Sequence, residues 1–192
     1  MTTGTKISEN LSVLETRLNE AKEKGADFIV TPEQTLLMAE NKDSLFENIS
    51  YEDRDFGLRE LKNIIKKLGL FVIIGSISIK YNEDLALNRT YAFNPNGDII
   101  GFYDKIHMFD VNLSDGEKYY ESKIYKPGTK LSLVSLPWCD VGLTICYDLR
   151  FPELYRKLAQ KGASVIIVPS AFTVTTGAVS YTHLRAHETK WH

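Results

Sequence analysis

Two stretches of this chain repeat one pattern. Residues 24–33 read KGADFIVTPE and residues 161–170 read KGASVIIVPS, sharing Lys-Gly-Ala, an Ile and a Pro at matching offsets. Each follows a helix with one apolar stripe. A helix that stops at Gly and feeds a buried strand builds a sheet with helices packed on it. The echo suggests two similar halves, although one pair of short matches does not establish a duplication.

The remaining pattern fits an α/β frame. Ile7, Leu11, Leu14, Leu18 and Ala21 recur every three or four positions and predict an amphipathic helix. Ser8 or Asn10 is expected to cap its start, and Gly25 to end it in a left-handed conformation. Residues 26–30 form a strand closed by Thr31-Pro32-Glu33. Leu61, Ile64, Ile65 and Leu68 mark a second helix, which stops at Gly69 before a β-branched strand over 70–79. Residues 90–93 and 99–103 flank a Pro-Asn-Gly turn, a hairpin signal. Strands follow near 131–136 and 141–145, then a helix from Pro152 and a strand over 163–168.

Composition narrows the function classes. The chain has 192 residues, 43% apolar and 25% charged, with a net charge of -2. That is one ordinary soluble domain, with no basic excess for nucleic acid and no acidic tail. The most apolar stretch, 68–79, is shorter than the roughly 20 residues of a membrane-spanning helix. The first residues lack a charged-then-apolar signal pattern. Cys139 and Cys146 are no disulfide framework. A cytoplasmic protein with neither nucleic-acid nor membrane partner is expected.

Cys146 is the residue of interest. It ends the apolar strand Val141-Gly142-Leu143-Thr144-Ile145, and Tyr147-Asp148-Leu149-Arg150 leads from it into the helix at Pro152. A strand-to-helix turn presents its side chain at the carboxyl edge of the sheet, where open α/β folds bind ligands. Backbone N–H groups at the helix start face a developing oxyanion. The competing reading is a buried Cys acting as a small hydrophobe, and Cys139, outside any such turn, is read that way. Arg150 is only four positions after Cys146, with no Gly-rich loop between, which excludes a cysteine-phosphatase cradle. Thr144 and Asp148 stand where a hydrolase elbow needs Gly. His107 stays open as a thiol partner. Lys105 leaves one strand end and Glu33 another; each alone reads as an ordinary surface charge.

Together these residues resemble a specific family. "TPEQ" around Glu33, "YDKIHMFD" around Lys105 and "GLTICYDLRFPELYRKLAQKGA" around Cys146 are similar to the three signature segments of the nitrilase superfamily, the carbon–nitrogen hydrolases, in the same order. "YYESKIYKPG" resembles the segment bearing a second active-site Glu, here Glu121, and "VPSAFTVTTG" the segment lining the substrate pocket. The nearest resemblance is to the amidase branch that includes ω-amidase and deaminated glutathione amidase.

The resemblance implies an α/β fold, an αββα sandwich of two sheets with helices outside. It implies a Glu33–Lys105–Cys146 triad without metal or organic cofactor. Glu121 and the Tyr147 N–H would support it, and Arg150, Thr175 and Thr176 would bind the substrate. It implies a thiol hydrolase that cleaves a small linear amide through a Cys thioester, and a homo-oligomeric protein. An N-carbamoyl hydrolase or a nitrilase would keep the same triad, and an inactive fragment is the reading from another class.

The resemblance spans residues 1–177. The family's first strand and C-terminal part are expected to be missing, so the sandwich is expected to be incomplete. Residues 178–192 do not fit and are expected to be a spurious or disordered tail. They hold His183, His187 and His192. The first two have the spacing of metal ligands on one helix face, but the order of Glu and His does not match a zincin, and no metal site is expected.

Overall fold

The computed structural model describes residues 2–112 and 118–172. In chain order the elements are α1 (Ile7–Glu23), β1 (Phe28–Val30), α2 (Lys42–Asn48), α3 (Phe56–Leu68), β2 (Phe71–Lys80), β3 (Ala86–Phe93), β4 (Ile99–Asp104), β5 (Asp110–Asn112), β6 (Lys118–Tyr120), β7 (Ser132–Ser135), β8 (Asp140–Leu143), α4 (Pro152–Gln160) and β9 (Val165–Ile167). Short 3₁₀ turns occupy Glu52–Arg54, Glu121–Lys123 and Cys146–Arg150.

The echo in the sequence is an echo in the fold. Helix α1 ends with Gly25 at φ 84° and α4 with Gly162 at φ 101°. The Ala26 N–H reaches back to Ala21 O, and the Ala163 N–H to Leu158 O. These are two copies of one helix-ending motif, in which the left-handed glycine satisfies carbonyls of the last turn. The strand that follows lies at the same offset in each copy: β1 pairs parallel with β2, and β9 pairs parallel with β8.

The start of α1 differs from expectation. Its N-cap is Lys6, without a side-chain bond. Ser8 and Asn10 lie inside the helix, so neither caps it. The buried Asn10 amide instead donates to Gly4 O and Leu36 O and accepts the Gly4 N–H, tying the helix to two loops.

One sheet has the order β1-β2-β3-β4, a second β7-β8-β9, and β5 and β6 form a separate hairpin. Side chains alternate across β2. Val72 and Ile74 pack with Leu14, Leu18, Leu61 and Ile65 of α1 and α3, while Ile73 faces Val134, Val141, Leu143 and Ile167 of the other sheet. Helix α4 covers the far face of β8, where a Cβ on Gly142 would stand 3.2 Å from Leu158 Cδ1. The layers run helix, sheet, sheet, helix: the expected sandwich.

The ends of β1 and β9 meet over Gly75 of β2. A Cβ there would lie 2.0 Å from Thr31 O, 2.6 Å from Pro32 O and 2.6 Å from Pro169 Cβ. Two backbone carbonyls cannot yield as a side chain can. Gly75→Ala is therefore expected to cost about 3 kcal/mol or more, read as a fall in the urea midpoint. Gly101→Ala, whose Cβ meets only the Val134 side chain at 2.6 Å, is expected to cost clearly less. Equal losses would contradict this account of the close approach.

Candidate active site

Four loops at strand ends converge at one end of the sandwich. Glu33 follows β1, Lys105 follows β4, Glu121 follows β6 and Cys146 follows β8. Lys105 is held by its backbone first: its N–H donates to Asn88 O at 3.0 Å, and its carbonyl accepts from the Gly128 N–H at 2.8 Å. Its ammonium then lies 3.0 Å from Glu33 Oε1 and 2.9 Å from Glu121 Oε2. The Lys105 side chain is 2% exposed and those of Glu33 and Glu121 are 7% and 14% exposed, so this is an interior ion cluster.

Charge and burial pull on these groups in opposite directions. Burial alone would lower the Lys105 pKa, but the Glu33 and Glu121 carboxylates outweigh it and hold the ammonium above the ordinary lysine range. Cys146 goes the other way. Burial, then the Glu33 charge, push its thiol up to about 12, against a smaller opposing pull from Lys105. At neutral pH the resting group is a thiol, not a thiolate.

The backbone around Cys146 is unusual. Cys146 has φ 47°, a left-handed conformation that strains a residue with a Cβ. Two contacts hold it. The Cys146 N–H donates to Pro169 O at 2.9 Å, a bond from the second echo loop. Asp148, fully buried, accepts the Ile145 N–H at 2.9 Å and the Tyr103 hydroxyl at 2.7 Å on Oδ2. Its Oδ1 takes the His107 N–H at 3.0 Å and His107 Nδ1 at 2.7 Å. The carboxylate thus clamps the Cys146 turn to the strand end that carries Lys105.

This settles His107. Its ring is engaged by Asp148 and stacks on Phe151 at 3.6 Å. It belongs to the clamp and does not pair with the thiol. Tyr147 packs its ring against Phe109 and Phe151 and offers its N–H at the start of the 3₁₀ turn, a position without an intrahelical acceptor. Arg150 lies in the same turn, partly buried. Thr175, Thr176 and the whole of 178–192, with its three histidines, fall outside the described residues. Among the described residues no group of His, Cys, Asp and Glu is placed to hold a metal ion.

Three contributors were not singled out from sequence. Asn88 donates to Glu33 Oε1 at 3.0 Å and to Glu121 Oε1 at 3.2 Å. The Ala171 N–H donates to Glu33 Oε2 at 3.0 Å, and Asp148 forms the clamp. A signal existed for the first: β3 reads ALNRTYAF and is buried throughout, so its polar residues needed partners.

The carbon–nitrogen hydrolase family matches residues 2–189. The chain belongs to this family. Over 178 residues it is 34% identical to a deaminated glutathione amidase of Yersinia enterocolitica, covering 91% of this chain and 61% of that protein. Over 170 residues it is 32% identical to an omega-amidase of Danio rerio, covering 88% and 60%. The chain thus spans about three-fifths of the length of these relatives. Among solved structures, the NitFhit protein of C. elegans superposes with a TM-score of 0.83 at 25% identity, covering 95% of this chain and 45% of that one. A Saccharomyces cerevisiae member of branch 10 of the nitrilase superfamily superposes with a TM-score of 0.79 at 26% identity, covering 94% and 65%.

Two outcomes follow for this member of the family. Asp148→Asn turns an NH₂ toward either the Ile145 N–H or the His107 backbone N–H, and is expected to destabilise by about 2–3 kcal/mol in urea unfolding. A loss below about 0.5 kcal/mol would show that the clamp is not needed. Glu33→Gln removes a charge that keeps the thiol protonated and leaves Lys105 in place. The pH midpoint for alkylation of Cys146 by iodoacetamide, followed by mass spectrometry with Cys139 as reference, is expected to move down. An unchanged or higher midpoint would contradict the electrostatic account.

Proposed function

We propose that this chain carries the core of a thiol amidase in which Glu33 is the base, Cys146 the nucleophile and Lys105 the cation that receives developing charge. One observation supports this reading above the rest: the buried Cys146 thiol lies beside the same buried carboxylate that pairs with Lys105, and that carboxylate's charge helps to hold it protonated. A thiol pushed up to about 12 needs a base beside it, and Glu33 is the neighbouring carboxylate whose charge acts on it.

The steps balance as follows. Cys146 Sγ attacks the amide carbon as its proton passes to Glu33. The carbonyl oxygen becomes an oxyanion facing Lys105 Nζ and the Tyr147 N–H. Collapse breaks the C–N bond, Glu33 returns the proton to nitrogen, and ammonia leaves a thioester on Cys146. Glu33 then takes a proton from water, the hydroxide attacks the thioester, and the acid departs as sulfur regains a proton. Glu121 holds Lys105 in place throughout.

The substrate class follows the relatives' names: a small linear amide of the ω-amide of a 2-oxo acid or deaminated glutathione type. Arg150, Thr175 and Thr176 are assigned to its carboxylate or polar end. The free cysteines fit a reducing, cytoplasmic location, and assembly with further copies of the chain belongs to the same reading.

Ammonia release from 2-oxoglutaramate, deaminated glutathione, carbamoyl amino acids and nitriles tests the proposal. The two ω-amides are expected to be the best substrates; preference for a carbamoyl compound or a nitrile would move the chain to another branch with the same residues. Cys146→Ala is expected to abolish turnover while the urea midpoint stays within about 1 kcal/mol of the parent. Lys105→Met is expected to lower kcat by about 10³-fold or more, since no other cation replaces the ammonium at the oxyanion. Turnover surviving either change would overturn the mechanism.

A further inference from the structure

The cluster contains a bridge that the thiol chemistry above does not use. Glu33 Oε1 and Glu121 Oε1 share two donors, the Lys105 ammonium at 3.0 Å from each and the Asn88 amide nitrogen at 3.0 and 3.2 Å. Four atoms therefore form a closed ring, with like charges at two corners. Like charges at this separation repel, and one ammonium must hold both. Asn88 contributes a second donor without adding charge.

Its orientation is forced. Asn88 is 1% exposed, and only its NH₂ can face two carboxylates, because the carbonyl would repel both. The cost of that orientation is visible: the buried Asn88 Oδ1 accepts from none of the described residues. The backbone enforces the placement too, since the Lys105 N–H donates to Asn88 O, setting the two residues side by side across neighbouring strands.

The consequence falls on Glu33. Its Oε1 is occupied by Lys105 and Asn88. Among the described residues its Oε2 accepts only the Ala171 N–H. Oε1 thus carries two donors and Oε2 one, which leaves Oε2 the oxygen open to a further proton. We propose that Asn88 is a positioning residue: by occupying Oε1 and tying it to Glu121, it fixes the carboxylate plane so that Oε2 meets the thiol proton and later the hydrolytic water. The inference rests on the amidase reading above and touches no substrate atom.

The test is Asn88→Ala alone and combined with Glu121→Gln, using deaminated glutathione and 2-oxoglutaramate as probes. Asn88→Ala is expected to lower kcat by about 100-fold, as misaligned reacting groups do, and to leave KM within about threefold. In the Glu121→Gln background the ring is already open, so the same substitution is expected to lower kcat by less than about tenfold. Cys139 alkylation and the urea midpoint report on folding. If Asn88→Ala does not fold, Asn88→Thr replaces it, a β-branched residue that keeps one donor, and its kcat is expected between parent and Ala levels. A folded variant with parental kcat, a loss carried by KM, or equal losses in both backgrounds would overturn the inference alone. No ammonia release by the parent from any probe would remove the amidase reading, and this one with it.

Discussion

One ammonium group in a dry place organises the site. Lys105 Nζ sits between two carboxylates at 2.9 to 3.0 Å with its side chain 2% exposed. Burying three charges costs free energy that pairing only partly returns, and removing one partner leaves an uncompensated charge. The surroundings are therefore built around that group. Asn88 and the Phe109 N–H share the Glu121 carboxylate, and the Ala171 N–H takes the second oxygen of Glu33. The cluster is net negative, so a thiolate beside it would add a further negative charge. That explains why the thiol is held protonated.

The sandwich supplies what the cluster needs. Glu33 arrives on the first echo loop; the second brings the carbonyl of Pro169 that holds Cys146 and the Ala171 N–H that holds Glu33. Two βα units with identical helix endings place their exits at one point, and Gly75 lets those exits approach. Precision at the site therefore comes from the repeat of a local motif and not from a long dedicated scaffold. The clamp by Asp148 adds the remaining constraint, fixing the turn of Cys146 against the strand of Lys105.

Much of this was legible in the sequence. Apolar spacing and glycines located α1, α3, α4 and the strands of the two packed sheets to within a few residues, because burial and left-handed turns leave strong local marks; the short β5–β6 hairpin, in a polar stretch, left none. Cys146 stood out by its place at a strand-to-helix turn, whereas Glu33, Lys105 and Glu121 were legible through resemblance, since a single charge at a strand end reads like any surface group. What was missed has a physical reason. Asn10 is a good capping residue by type, but the register of the helix put it inside, where its amide found loop carbonyls. Asn88 acts through Glu121 and Glu33, 33 and 55 positions away, and Asp148 through His107 and Tyr103, 41 and 45 positions away. No window of sequence contains both ends of such bonds. Helix α2 is short, and its Asn41 cap, accepting the Ser44 N–H, is its main local signature.

The bond between the Ala171 N–H and Glu33 joins residues 138 positions apart. Contacts of such separation close large loops and form late, after local helices and hairpins. During synthesis the segment holding Cys146 emerges well before residue 171. A chain still on the ribosome thus carries its cysteine before the carboxylate beside it is held in place. The environment of Cys146 is a property of the finished tertiary structure, complete only when the loop carrying Ala171 docks.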